Sequence, residues 1–179
     1  MLPTDEAQNR IDLCARKFNA KLEMLKEALF KKEIFGQVTA YTYVIEFQKR
    51  GLPHAHFLII LKPNSKLYSP DSYDQIVSAE LPNKGTQKHL FKMVRKHMMH
   101  GPCGSKNPNN VCMQGKKVRF CKNKYPKQWA DSTTHGQNAY PIYRRRNDGK
   151  IVHVRGQELD NRWVVPHNPY LLAKFNCHI

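Results

Sequence analysis

No stretch of this 179-residue chain stays apolar for the ~20 positions that a membrane span requires. The opening residues Met1-Leu2-Pro3-Thr4-Asp5-Glu6 carry neither the basic n-region nor the apolar h-region of a secretory leader. Together these absences predict an intracellular chain with no membrane partner. No internal repeat or low-complexity tract occurs, so one domain with an appendage is expected rather than an array. No Gly-x₄-Gly-Lys-Ser/Thr phosphate loop occurs either, which excludes an ATP-driven helicase acting from this chain alone. Cysteine is sparse and odd in number, five in all, and four of them (Cys103, Cys112, Cys121, Cys177) lie in the C-terminal half. That pattern fits thiols or metal ligands in a reducing compartment better than a disulfide framework.

Acidic residues are scarce as well: 14 Asp and Glu stand against 30 Lys and Arg, a net charge of +16. Such an excess favours a polyanionic partner through counterion release.

The apolar residues Ile11, Ala15, Phe18, Leu22, Leu25 and Leu29 recur at steps of four and three, which predicts a long amphipathic helix over 4–35. Thr4 is its expected N-cap and Gly36 its stop. Residues 37–48 are dense in β-branched and aromatic side chains and predict a strand buried on both faces. Residues 54–61 predict a second strand, antiparallel because the five-residue connection Lys49-Arg50-Gly51-Leu52-Pro53 is too short for a parallel crossover. A short helix is expected over Ser72–Ser78 and another over 87–100, the latter with Lys88, Lys92 and Lys96 repeating away from its apolar face. Beyond Gly101 periodicity fails. Two short strands, Tyr140–Arg145 and Ile151–Arg155, are expected to form a hairpin through Asn147-Asp148-Gly149.

Within the second strand stands His54-Ala55-His56. A strand puts both imidazoles on one face, about 7 Å apart along the backbone, where they can converge on one ion. Antiparallel register can add Glu46 and Gln48 to that face, giving two imidazoles and an oxygen donor suited to Mg²⁺ or Mn²⁺. In so basic a chain the ion is expected to act on a phosphodiester.

A second constellation is His100-x₂-Cys103-x₈-Cys112-x₈-Cys121, with His97 as a spare ligand. Its residue types satisfy tetrahedral Zn²⁺, and a loop-rich segment with little apolar content is where a structural ion replaces a core; unrelated thiols are the alternative. A third combines cations with aromatic rings: Lys116, Lys117, Arg119, Lys122, Lys124 and Lys127 beside Phe120, Tyr125 and Trp129, then Tyr140 and Tyr143 before Arg144, Arg145 and Arg146. Cations track a phosphate backbone and rings stack on unpaired bases, so the composition suits single strands. Lys49 and Arg50, in the turn beside the His pair, join this candidate DNA-binding set.

These residues resemble the replication-initiator (Rep) nuclease domain of Helitron rolling-circle transposases, the Helitron helicase-like domain, a member of the HUH endonucleases. The resemblance is carried by Tyr43–Leu61 with Glu46-Phe47-Gln48-Lys49-Arg50-Gly51-Leu52-Pro53-His54-Ala55-His56, by Ala79-Glu80-Leu81-Pro82, and by His100-Gly101-Pro102-Cys103 with Cys112 and Cys121. Tyr125-Pro126-Lys127, Tyr140–Arg146 and Leu159–Pro166 extend it over most of the chain. It implies a nickase core in which the two histidines hold a divalent metal and single-stranded DNA is transferred to a tyrosine. It also implies a third ligand from the preceding strand, at Gln48 or secondly Glu46, and it favours zinc at the Cys/His set. In that family the nucleophilic tyrosines follow a segment matching Cys177-His178-Ile179, so the nucleophile is expected beyond Ile179. Tyr140 and Tyr143 occupy a different block and are weak candidates.

The expected architecture is therefore α+β. An antiparallel sheet of HUH-nuclease type with the long helix occupies 1–100, a zinc-stapled basic insertion 101–135, and a hairpin with an apolar tail 136–179. The expected function is metal-dependent binding and nicking of single-stranded DNA, incomplete in this chain; a helicase domain would belong to a longer parent protein, and the location would be nuclear in a eukaryote. The alternative is a non-catalytic, zinc-dependent nucleic-acid-binding remnant of a transposon protein.

Overall fold

The apolar steps from Ile11 to Leu29 produce α1 over Ile11–Lys26, which widens into a π turn over Glu27–Lys31 where Lys32 N–H donates to the Glu27 carbonyl at 3.0 Å. The structure is a computed structural model that describes residues 9–47, 52–116, 118–136 and 140–178, so the expected cap Thr4 lies outside the described residues. The helix ends before the expected boundary at 35. Glu33 and Gly36 adopt positive φ of 49° and 97°, and the chain turns there instead of continuing.

β1 (Val38–Phe47) and β2 (Pro53–Leu61) pair antiparallel, as expected, with Tyr43 opposite Phe57 and Glu46 opposite His54. One face of this hairpin is aromatic: Phe30 of the π turn stacks on Tyr41 at 3.8 Å between centroids, and Tyr43 stacks on Phe57 at 5.0 Å. The other face is open, with Val44 62 % and Leu58 64 % exposed. The expectation of burial on both faces is therefore corrected: the described strands form a two-stranded sheet that is open on one face and only partly covered on the other, where Phe47 is 69 % exposed.

The chain divides into two compact units, Met1–Lys66 and Leu67–Ile179. The second begins with α2 (Pro70–Ile76), two residues ahead of expectation because Ser69 caps it reciprocally with Ser72 and Pro70 fits its first position. α3 (Lys88–His97) follows, and then three two-stranded antiparallel sheets: β3 (Met113–Gln114) with β4 (Phe120–Cys121), β5 (Thr134–His135) with β6 (Pro141–Ile142), and β7 (Val152–Val154) with β8 (Gln157–Leu159). The expected hairpin through Asn147-Asp148-Gly149 does not form. Asp148 Oδ1 instead accepts from Asn161 Nδ2 at 3.1 Å, and the β7–β8 turn lies at Arg155-Gly156. The apolar tail forms a helix that the sequence reading missed, α4 (Pro169–Phe175), capped by Asn168 through Leu171 N–H at 2.8 Å. The architecture is α+β, and no described helix is long and apolar enough to cross a membrane.

The core of this unit gathers Leu81, Met98, Leu159, Val164 and Leu172 around Cys103, Cys112 and Cys121. Polar groups complete it. Arg145, 4 % exposed, donates through Nη1 to the carbonyls of Ala79, Asn161 and Val164 at 3.2, 2.8 and 2.6 Å. Asn161 accepts from Leu81 N–H at 2.7 Å and donates to the Arg146 carbonyl at 2.8 Å. Such groups are tolerable inside only when satisfied in this way.

Gly36→Ala is expected to destabilise the chain by more than about 1 kcal/mol, because φ is positive and an added Cβ would meet Ser65 Cβ at 2.5 Å; thermal unfolding measures it, and an unchanged midpoint would contradict the steric reading. Acidification tests the second unit. His167 is 2 % exposed, and burial holds its imidazole below the usual range, even though the Val165 carbonyl at 3.0 Å favours the charged form. The unfolded chain therefore binds this proton more readily than the folded one, so its contribution is present above about pH 6.5 and is lost as pH falls below it. Stability is expected to decline between pH 7 and 5.5, by at most ~1.4 kcal/mol per pH unit from this group, with a shallower slope in His167→Gln.

Candidate metal sites

α3 delivers the first ligand. Beyond its end at His97, Val165 N–H donates to the Met98 carbonyl at 2.8 Å and His100 N–H to the Trp163 carbonyl at 2.8 Å. This pins the backbone on either side of Met99, and the His100 ring lies parallel to Tyr125 at 4.2 Å and 9°. Asn110 Nδ2, donating to the Pro102 carbonyl at 2.8 Å, closes the loop that carries Cys103 and Cys112. The β3–β4 hairpin places Cys121 opposite Met113 with both buried, while Phe120 faces out.

The four donor atoms of His100, Cys103, Cys112 and Cys121 lie within 4.8 Å of one another. His100 Nε2 is 3.6 Å from Cys103 Sγ and 3.5 Å from Cys121 Sγ. Tetrahedral zinc, with Zn–S of about 2.3 Å and Zn–N of about 2.0–2.1 Å, sets its ligands about 3.5–3.8 Å apart, so the donor set fits. Burial holds His100 below its usual range and therefore neutral, the form that ligates. Burial, reinforced by Cys121 and Cys112, pushes the Cys103 thiol up to about 12, and burial also raises Cys112. Burial opposes ionisation of Cys121 too, but hydrogen bonds from the backbone N–H groups of Tyr125 and Asn123 and from Cys112 and Cys103 together hold that thiol below its ordinary value. Such a cluster is a poor place for three thiolates without a cation, and a divalent ion reverses that preference. These residues could hold a metal such as zinc. His97 is not a spare ligand, since its Nε2 meets Asn176 Oδ1 at 2.9 Å.

In the first unit, register puts Glu46, His54 and His56 on the open face of the hairpin. Glu46 Oε1 lies 2.9 Å from His56 Nε2, and the two imidazole centroids are 4.8 Å apart. The hydrogen bond from His56 holds the Glu46 carboxylate below its usual range. Gln48, Lys49 and Arg50 lie outside the described residues, as does Lys117. Tyr41 and Tyr43 face the opposite side of the sheet.

The three arginines expected to contact DNA all make contacts within the fold. Arg145 is buried among carbonyls and unavailable to a phosphate. Arg146 makes a two-point contact with Glu80, through Nε at 3.0 Å and Nη2 at 2.7 Å, and Arg144 Nη1 pairs with Asp74 at 3.0 Å. Glu80 and Asp74 are the partners that sequence reasoning missed; their distance along the chain hid them. Arg119, Lys122 and Lys124 are exposed beside Phe120. Tyr140 is 80 % exposed, and Tyr143 is half-buried, its phenol raised by that burial.

Purified protein is expected to carry about one zinc per chain, and removing it with a chelator should lower the unfolding midpoint by about 10 °C or more. Elemental analysis alongside calorimetry checks both, and Cys112→Ser should lose metal and midpoint together. A metal-free protein with an unchanged midpoint would show that the thiols serve only as core.

Residues 1–59 match the family described as the Helitron helicase-like domain at N-terminus. That span takes in α1, β1 and most of β2, including Glu46, His54 and His56, and stops short of the Cys/His cluster. No curated protein matches the chain. What the match shows is a similarity of the N-terminal third to a Helitron helicase-like domain.

Proposed function

We propose that the chain contributes the metal-binding core of a Helitron-type replication-initiator nuclease, acting on single-stranded DNA in rolling-circle transposition. The observation that carries this reading is the gathering of Glu46, His54 and His56 on one open sheet face inside the span that matches the Helitron domain. The donor chemistry fits Mg²⁺ or Mn²⁺: His54 and His56 would hold the ion with an oxygen from Glu46 or Gln48, and the bound ion would draw charge from a scissile phosphate. Glu46, ionised beside His56, orients that ring and keeps negative charge on an otherwise basic chain. Exposure of the face gives an extended strand room to approach.

The nucleophile is a separate matter. Tyr41 and Tyr43, the tyrosines of this unit, face away from the His pair, so neither serves as the attacking group in this proposal. In the same reading a helicase domain would lie in a longer parent protein, with nuclear location in a eukaryote. A second reading, a non-catalytic zinc-dependent nucleic-acid-binding protein, is favoured by the converging Cys/His donors and by exposed Phe120 beside Lys122 and Lys124.

Titration with Mn²⁺ followed by electron paramagnetic resonance should show a site that His54→Ala plus His56→Ala abolishes while zinc content is unchanged. With a labelled single-stranded oligonucleotide and Mn²⁺, the chain is expected to bind without forming a covalent adduct. Recovery of a protein-DNA adduct would place the nucleophile within these 179 residues, and DNA affinity lost only on zinc removal would favour the second reading.

A further inference from the structure

The positive charge of this chain is not spread evenly. Leu81 to Ala130 contains twelve Lys or Arg and no Asp or Glu, while the remainder holds eighteen against fourteen. Within that segment α3 is the longest regular element, and its two sides differ sharply. Met93 and Val94 are buried, and His89 and His97 bond the Ala173 carbonyl at 3.1 Å and Asn176 Oδ1 at 2.9 Å, which docks the helix on the end of α4. Lys88, Lys92, Arg95 and Lys96 are all exposed and fall within roughly 100° of arc on the other side.

Helix energetics do not account for this face. Like charges at i and i+4 repel, as Lys88 with Lys92 and Lys92 with Lys96 must. Lys88 also stands in the first turn, where the helix dipole favours acids and where no acidic residue is present. Among the described residues no carboxylate lies within ion-pair distance of these four cations, whereas Arg144, Arg146 and Arg162 of the same unit are paired with Asp74, Glu80 and Asp160. A ligand that brings its own negative charge would relieve the repulsion.

We infer that the outward face of α3 is a contact surface for a nucleic-acid phosphate backbone, formed by Lys88, Lys92, Arg95 and Lys96. It rests on the reading that nucleic acid is the ligand, but lies in a different unit from the His pair and uses none of its residues. Lysines four apart rise about 6 Å along the axis, so the row can follow successive phosphates of a strand. The face carries cations without aromatic rings, so it holds the backbone and does not read bases. An anionic membrane is the poorer partner: the apolar side that an interfacial helix would insert is already spent on the protein core.

The test is salt-dependent binding of labelled oligo-dT to the full chain, followed by fluorescence anisotropy. Lys88→Gln/Lys92→Gln/Lys96→Gln should weaken binding about tenfold near 0.1 M salt and reduce the slope of log K against log salt by about 2, at about 0.7 per phosphate contact on a single strand. Lys17→Gln/Lys31→Gln/Lys66→Gln removes the same charge from exposed positions of the other unit and should leave the slope unchanged. Matching thermal midpoints show that each variant folds. The α3 effect should persist in the His54→Ala/His56→Ala background, so failure of the nuclease reading and failure of this one are separable. An unchanged slope in the α3 variant, an equal fall in the control, or retention on anionic vesicles with no oligo-dT binding would each overturn the inference.

Discussion

A chain this short of buried hydrocarbon must close its interior with groups that demand partners. In Leu67–Ile179 the demand is met around His100, Cys103, Cys112 and Cys121, whose donors converge at the centre of loops and two-residue strands too short to hold themselves. The surrounding packing follows from that point. Tyr125 lies along His100, the β3–β4 hairpin turns Cys121 inward, and the backbone flanking Met99 is pinned so that the imidazole arrives in place.

Arg145 extends the same logic. A guanidinium removed from water is costly unless its donors find acceptors, and here three carbonyls accept from Nη1. Because the carbonyls come from Ala79, Asn161 and Val164, one side chain ties together segments far apart in sequence. Glu80 then anchors Arg146, with Asp74 doing the same for Arg144, so each of these cations has an acidic partner within the fold. Exposed cations remain on α3 and on the loops around the Cys/His cluster.

The first unit has the opposite arrangement. Its hydrocarbon is concentrated on the aromatic side of the hairpin, against the π turn. The other side keeps Glu46, His54 and His56 in reach of solvent among exposed Val44 and Leu58. A buried Cys/His cluster and a solvent-accessible pair of histidines thus coexist in one chain.

Local rules were enough for much of this. Two-residue alternation put His54 and His56 on one face, the short connection forced an antiparallel hairpin, and four- and three-residue steps placed α3 to within three residues while marking α1 but overestimating its length. Cysteine and histidine types within a poorly apolar segment identified the ligands that converge. The fate of Arg144 to Arg146, the engagement of His97, the openness of the sheet's second face and the failure of the Asn147-Asp148-Gly149 hairpin were not legible. Each depends on a partner distant in sequence: Asp74 and Glu80 for the arginines, Asn176 for His97, Asn161 for Asp148. The sequence by itself determined which residues could ligate, pair or form a strand, because those are properties of side chains and near neighbours. Only the tertiary structure decided which did, because a charge or donor is spent on whichever partner folding brings within bonding distance.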